Sequence, residues 1–146
     1  MPTYSFQDVQ ANIVGPGIAT SLGSGDAVAE EGISIEPAGD KNTMTVGADG
    51  EGMHSLHADK SGSITVRLLK TSPKNAILQA AYDAQTLSSA VHGKNIITVS
   101  NSVAGDLHTG RDCAFARKPR VVYDKAGAMM EWVFHSIKLD GILGTY

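Results

Sequence analysis

Near the start of the chain, Val9, Ala11 and Ile13 alternate with Gln10 and Asn12, the period of a half-buried strand. Gly15-Pro16-Gly17 supplies a turn, and residues 18–22 return as a second strand, giving an N-terminal hairpin. Ile33 and Ile35 flank Ser34 in a short alternating segment, and residues 43–46 offer β-branched side chains for another. Residues 63–69 repeat the pattern with Ile64, Val66 and Leu68 set against Thr65 and Arg67. The period then changes. Ser72 is placed to cap a helix, Pro73 takes its first position, and residues 75–86 carry Ile77, Ala81 and Ala84 at helical spacing.

From Asn95 onward the pattern is β again, with strands predicted at 96–99, 107–117, 121–123 and 130–139. Asp124-Lys125-Ala126-Gly127 has the composition of a hairpin turn joining the last two. In the final strand Trp132 and Phe134 share one face, while Val133, His135, Ile137 and Leu139 share the other. Such a strand is expected to be covered on both sides, by the helix and a second sheet or by another subunit. One helix among many strands predicts an antiparallel β-sandwich or barrel with a single flanking α-helix. A length of 146 residues suits one domain, 1–146, with a long polar segment at about 37–62.

Charge changes this picture more than composition does. The net charge is −3, yet the first 40 residues hold Asp8, Asp26, Glu30, Glu31, Glu36 and Asp40 with no Lys or Arg, hence −6. The other 106 residues carry 12 bases against 9 acids, and Arg111, Arg117, Lys118 and Arg120 lie close together. An acidic and a basic region of this kind can meet on neighbouring copies, or compensate within one subunit. With 42% hydrophobic residues the chain is expected to fold, and it lacks the apolar run of a membrane helix or secretory leader. A lone cysteine, Cys113, makes no internal disulfide and fits a reducing site of synthesis.

Candidate chemistry is sparse. In GADGEGMHSLHADKSG, residues 47–62, His54 and His57 could converge with Asp49 or Glu51 on a metal, but H-x-x-H alone lacks the H-E-x-x-H helix and a third ligand. The same stretch does not have the alternating ligands of a calcium loop. Gly15-Pro16-Gly17 and Gly23-Ser24-Gly25 lead into neither GK[ST] nor a helix, so they read as turns, not phosphate cradles. Cys113 with His108 reads as structural before nucleophilic, and no G-x-S-x-G elbow is present. Arg117-Lys118-Pro119-Arg120 is too short, in an acidic chain without a basic aromatic face, to predict specific nucleic-acid binding. A net acidic surface instead suits passage of DNA without adhesion.

The stretches DKNTMTVGADGEG (40–52) and SGSITVRLLKTSP (61–73), with YSFQDV, VGPG, NAILQAAYDAQ and EWVFHSIKLDGILG in the same order, resemble the tail tube proteins of contractile-tailed bacteriophages. The resemblance implies a hexameric ring whose sheets join into an inner barrel. Rings would stack into a tube that conducts the genome, without specific DNA binding and without any catalytic residue, cofactor or metal. Implied partners are further copies of the chain, the tail sheath, the tape-measure protein, and the baseplate and tail terminator proteins. The implied location is the virion tail, after synthesis in the host cytoplasm. The 37–62 segment would reach the adjacent ring through Asp40, Lys41, Asp49, Glu51, Met53, His54, Leu56 and His57, with Met53 and Leu56 as apolar anchors. Arg117, Lys118 and Arg120 are expected at subunit contacts. His54 and His57 buried between rings would make the tube sensitive to mild acid. Two other readings remain open here: a tail completion or baseplate hub protein, and a small metal-dependent enzyme using His54, His57 and Asp49.

Overall fold

The computed structural model describes residues 2–22 and 28–145. A 3-10 turn, Phe6–Asp8, leads into β1 (Val9–Gly15) and β2 (Ile18–Ser21). The chain continues through β3 (Val28–Pro37), β4 (Asn42–Val46), β5 (Gly52–Leu56) and β6 (Gly62–Leu69) to the helix α1 (Lys74–Gln85). It ends in β7 (Asn95–Asn101), β8 (Asp106–Arg117) and β9 (Met129–Ile142). Seven strands form one antiparallel sheet in the order β2-β1-β7-β8-β9-β6-β3, and β4 and β5 pair only with each other.

The alternating segments place their apolar positions as the period requires. Val9, Ala11 and Ile13 of β1, Ile64, Val66 and Leu68 of β6, Ile97 and Val99 of β7, and Trp132 and Phe134 of β9 all enter one core. Ile18 and Leu22 beside β1 join the same cluster as β6, near the other end of the sheet, so the sheet curls over itself around that core. Helix α1 covers it through Leu78 and Ala81, and its Tyr82 meets Phe115 edge to face with ring centroids 5.7 Å apart. The layered β architecture is thus made largely by one folded sheet. β8 supplies part of the bend: its register with β7 shifts between Asn95 and Ile97, and Asp112 has φ 51. An extra residue of this kind kinks and twists a strand. Closure also depends on Gly32 of β3, whose φ is 64 and whose missing Cβ would sit 3.0 Å from the Phe6 ring.

Several expectations need correction. Helix α1 begins at Lys74, with Pro73 at the cap position and the Ser72 hydroxyl accepting the Lys74 N–H at 3.3 Å. Its buried face is Leu78, Ala81 and Gln85; Ile77 and Ala84 are exposed. Gln85 exchanges two hydrogen bonds with Asn95, at 2.9 and 2.7 Å, and donates to the Pro16 carbonyl at 3.1 Å. A buried amide so paired is satisfied, and it looks polar to any hydrophobic period. Residues 121–123 form no strand, and 124–127 do not join a hairpin; β8 itself pairs with β9, through an irregular connection. Pro119, lacking an N–H, stands just beyond the end of β8. Residues 52–56, expected in a loop, are the strand β5. Of the expected second face of β9, Val133 is buried and Ile137 is exposed, while Leu139, opposite Gly110, packs against the core itself. Gly23-Ser24-Gly25 and Asp26 lie outside the described residues, as do the side chains of Glu30 and Glu31.

Candidate functional site

The segment at 37–62 is a β-hairpin standing off the main sheet. Thr43 pairs with Ser55, Met44 with His54, Thr45 with Met53, and Val46 with Gly52, in antiparallel register. The tip closes through Gly47 N–H to the Glu51 carbonyl at 2.7 Å and Gly50 N–H to the Gly47 carbonyl at 3.0 Å. Gly50 takes φ 89 there, which a side chain would strain. Asp49 accepts the Glu51 N–H at 3.1 Å, so its carboxylate is committed to shaping the turn.

The base is clamped by Lys41. Its ammonium donates to the Ser61 carbonyl at 2.8 Å and the Ala38 carbonyl at 3.4 Å, and lies 3.6 Å from Asp59. Asp59 also accepts the Ser61 N–H at 2.9 Å. That N–H bond first, and the Lys41 charge after it, hold the Asp59 carboxyl below its ordinary 3.8. A depressed carboxylate contributes above its unfolded pKa and loses that contribution as pH falls through the lower folded value. Exchange protection of the Ser61 amide, followed by NMR, is therefore expected to persist through pH 4 to 7 and to fall only below pH 3.8. Loss of protection already near neutrality would show that this clamp does not hold the arm.

The register sorts the arm's side chains onto two faces. Asn42, Met44, Val46, His54 and Leu56 share one; Thr43, Thr45, Met53 and Ser55 share the other. Met44 is 65% exposed and Leu56 89%, with Val46 exposed beside them, and Met53 on the reverse is 61% exposed. Met53 and Leu56, expected to act together, are thus on opposite faces; Leu56 instead shares its face with Met44, diagonally across the pair, and with Val46 nearer the tip. Those two were missed as site residues although the alternation at 43–46 was visible. A two-stranded hairpin is marginal alone, and contiguous exposed apolar side chains mark a contact surface.

Asp40, Glu51 and His54 are exposed, and His57 Nε2 meets the Thr43 hydroxyl at 3.2 Å. Among the described residues no three His, Cys, Asp or Glu side chains group as metal ligands. Cys113 is buried, and burial pushes its thiol up, which opposes thiolate formation. Arg117 and Arg120 are exposed. Lys118 is engaged within the chain, 3.3 Å from Asp83 of α1 and over the Tyr82 ring at 5.3 Å. Gln79 first, and Lys118 next, lower the Asp83 pKa. The basic cluster is therefore split between a brace on the helix and two exposed arginines.

An antiparallel sheet curled over one core and flanked by one helix is a fold this chain shares with chains from contractile injection systems. The chain matches one in the "anti-feeding prophage (AFP) baseplate, 6-fold symmetrised" with TM-score 0.61 at 11% identity, covering 97% of this chain and 96% of that one. It matches one in an extracellular contractile injection system, "PVC sheath-tube complex in extended state", with TM-score 0.59 at 14% identity, covering 97% and 92%. A third, from the "PVC sheath/tube terminator in extended state", gives TM-score 0.58 at 12% identity, covering 97% of both chains. Identities this low carry the fold alone. Among curated proteins none matches the sequence significantly. The family model described as "Bacteriophage PhiTE tail tube protein" matches residues 1–144, and the chain belongs to that family. It is a structural component of a phage tail tube.

Proposed function

We propose that six copies of this chain close into a ring, and that rings stack into the tube of a contractile tail through which the genome leaves the capsid. The exposed apolar face of the arm, Met44, Val46 and Leu56 with none of the described residues over it, is the observation that carries this reading. An apolar hairpin held out at a clamped base gains stability when a neighbouring ring covers it. Asp40, Lys41, Asp49, Glu51, Met53, His54 and His57 accompany it as rim and turn, with Arg117 and Arg120 at lateral contacts. The sheet also ends in two edge strands, β2 and β3, whose pairing with neighbours in the ring removes an aggregation liability. A sheath surrounds the tube, the tape-measure protein occupies its lumen during assembly, and baseplate and terminator proteins close its ends. The role is mechanical and uses no catalytic step, and the protein is made in the host cytoplasm.

Negative-stain microscopy of the purified chain at high concentration is expected to show rings and open-ended tubes. A monomer that stays monodisperse at every concentration, alone and with its sheath protein, would overturn the assignment. Because the fold is also shared with a chain of the AFP baseplate and one of the AFP "tube terminating cap", a terminal ring is the competing role. Isolated rings that never extend would favour it.

A further inference from the structure

The face of the large sheet turned away from the core carries its own pattern. Register places Ser21, Asn12, Thr98, Thr109 and Asp140 in one row across five strands, all short and polar. At the next position of the same face in each direction stands one exposed aliphatic pair. Val14 stands opposite Ile96 toward one end, and Leu107 opposite Ile142 toward the other, each between 44% and 67% exposed. The Leu107 row continues as Ser100 on β7 and Gln10 on β1, so its apolar part is confined to β8 and β9; along β7 it lies four residues from the Val14/Ile96 row, about 13 Å at strand rise.

The two ends also differ in charge. Around Leu107 and Ile142, residues 2–10, 99–108 and 141–145 contain Asp8 and Asp106 and neither Lys nor Arg. Beside Val14 and Ile96 stand Lys94, Arg111 and Lys138, against Asp112 and Asp140, with Arg111 3.9 Å from Asp140. One end is acidic and the other carries a surplus of base, each around an exposed aliphatic pair. A contact of one chain with its own copy through two different patches requires this complementarity.

We propose that the two ends of this sheet face form a second stacking seam: the Leu107/Ile142 end of one copy seats on the Val14/Ile96 end of a copy in the next ring. The seam rests on the stacked assembly proposed above and lies on the sheet, apart from the hairpin arm. The polar row between the ends stays wet.

Two variants, Ile142→Asp and Val14→Asp, each block one end and leave the other intact. Purified separately, each is expected to give single rings that do not stack. Mixed in equal amounts, they are expected to give pairs of rings and nothing longer, because one unblocked end of each kind remains. Negative-stain microscopy and sedimentation read the outcome, and a thermal midpoint equal to wild type certifies the fold. Should an aspartate variant melt early, the serine variants Ile142→Ser and Val14→Ser replace it. Wild-type-like tubes from either variant, or a mixture that stays as single rings, would overturn the seam and leave the tube reading standing. A variant that loses the ring itself would assign the pair to lateral contact and also overturn the seam. Wild-type protein that never assembles would overturn both.

Discussion

Trp132→Ala is expected to lower the thermal midpoint of the dilute, unassembled protein by roughly 10 °C, the largest effect of any single side chain. Trp132 is buried in the first third of β9, packs edge to face on Phe115 with centroids 5.9 Å apart, and donates its indole N–H to Asn75 at 3.0 Å. It therefore joins the core of the sheet to the first turn of α1. Truncating a buried Trp typically costs about 3–5 kcal/mol, and about 1 kcal/mol moves the midpoint by roughly 2–4 °C in a domain of this size. Trp132→Phe keeps most of the packing and loses the hydrogen bond, so it should cost only about 0.5–1.5 kcal/mol for that bond plus the smaller ring. Calorimetry of the three proteins at equal low concentration checks the order, because assembly would otherwise raise the midpoint by mass action. Equal midpoints for wild type and Trp132→Ala would mean that the sheet does not fold around this residue.

The double variant Met44→Asp/Leu56→Asp is expected to abolish tube formation while leaving the monomer's melting unchanged. Both side chains are exposed, so little native packing is lost, and surface changes of this kind stay within about 0.5 kcal/mol. In the assembly two carboxylates would have to be buried against an apolar neighbour, at a cost of several kcal/mol each unless they are paired or protonated. Met53→Asp makes the comparison sharp because Met53 lies on the reverse face of the same hairpin. Weaker inhibition by Met53→Asp identifies the Met44 face as the covered one. Equal tube yield from the double variant and wild type, scored by sedimentation, would remove the arm from the interface.

Trp132 and Phe134 as one inward face of the last strand follow from alternation alone, as do Val9, Ala11 and Ile13, and Ile64, Val66 and Leu68. Met44 with Leu56 on one face of an arm does not, because the pairing register of β4 with β5 decides it. The lone helix was legible from the change of period at Ser72, but its buried face was misread. Gln85 is buried by virtue of Asn95, in the next strand, and Pro16, 69 residues away, neither of which carries a periodic signal on the helix.

The same division holds for charge. The acidic first 40 residues and the basic remainder can be counted along the chain, whereas the commitment of Lys118 to Asp83 and of Asp49 to its own turn depends on which elements pack together. The sequence by itself determined a mainly antiparallel β fold with one helix, membership suggested by ordered motifs, and the inward residues of most strands, because strand period is a local property of the backbone. Only the tertiary structure decided that one sheet curls over the core, that residues 42–56 stand out as a hairpin, and that its apolar side chains divide between two faces. Register, bulges and helix placement are set by contacts between residues far apart in the chain, and no local pattern encodes those pairings one at a time.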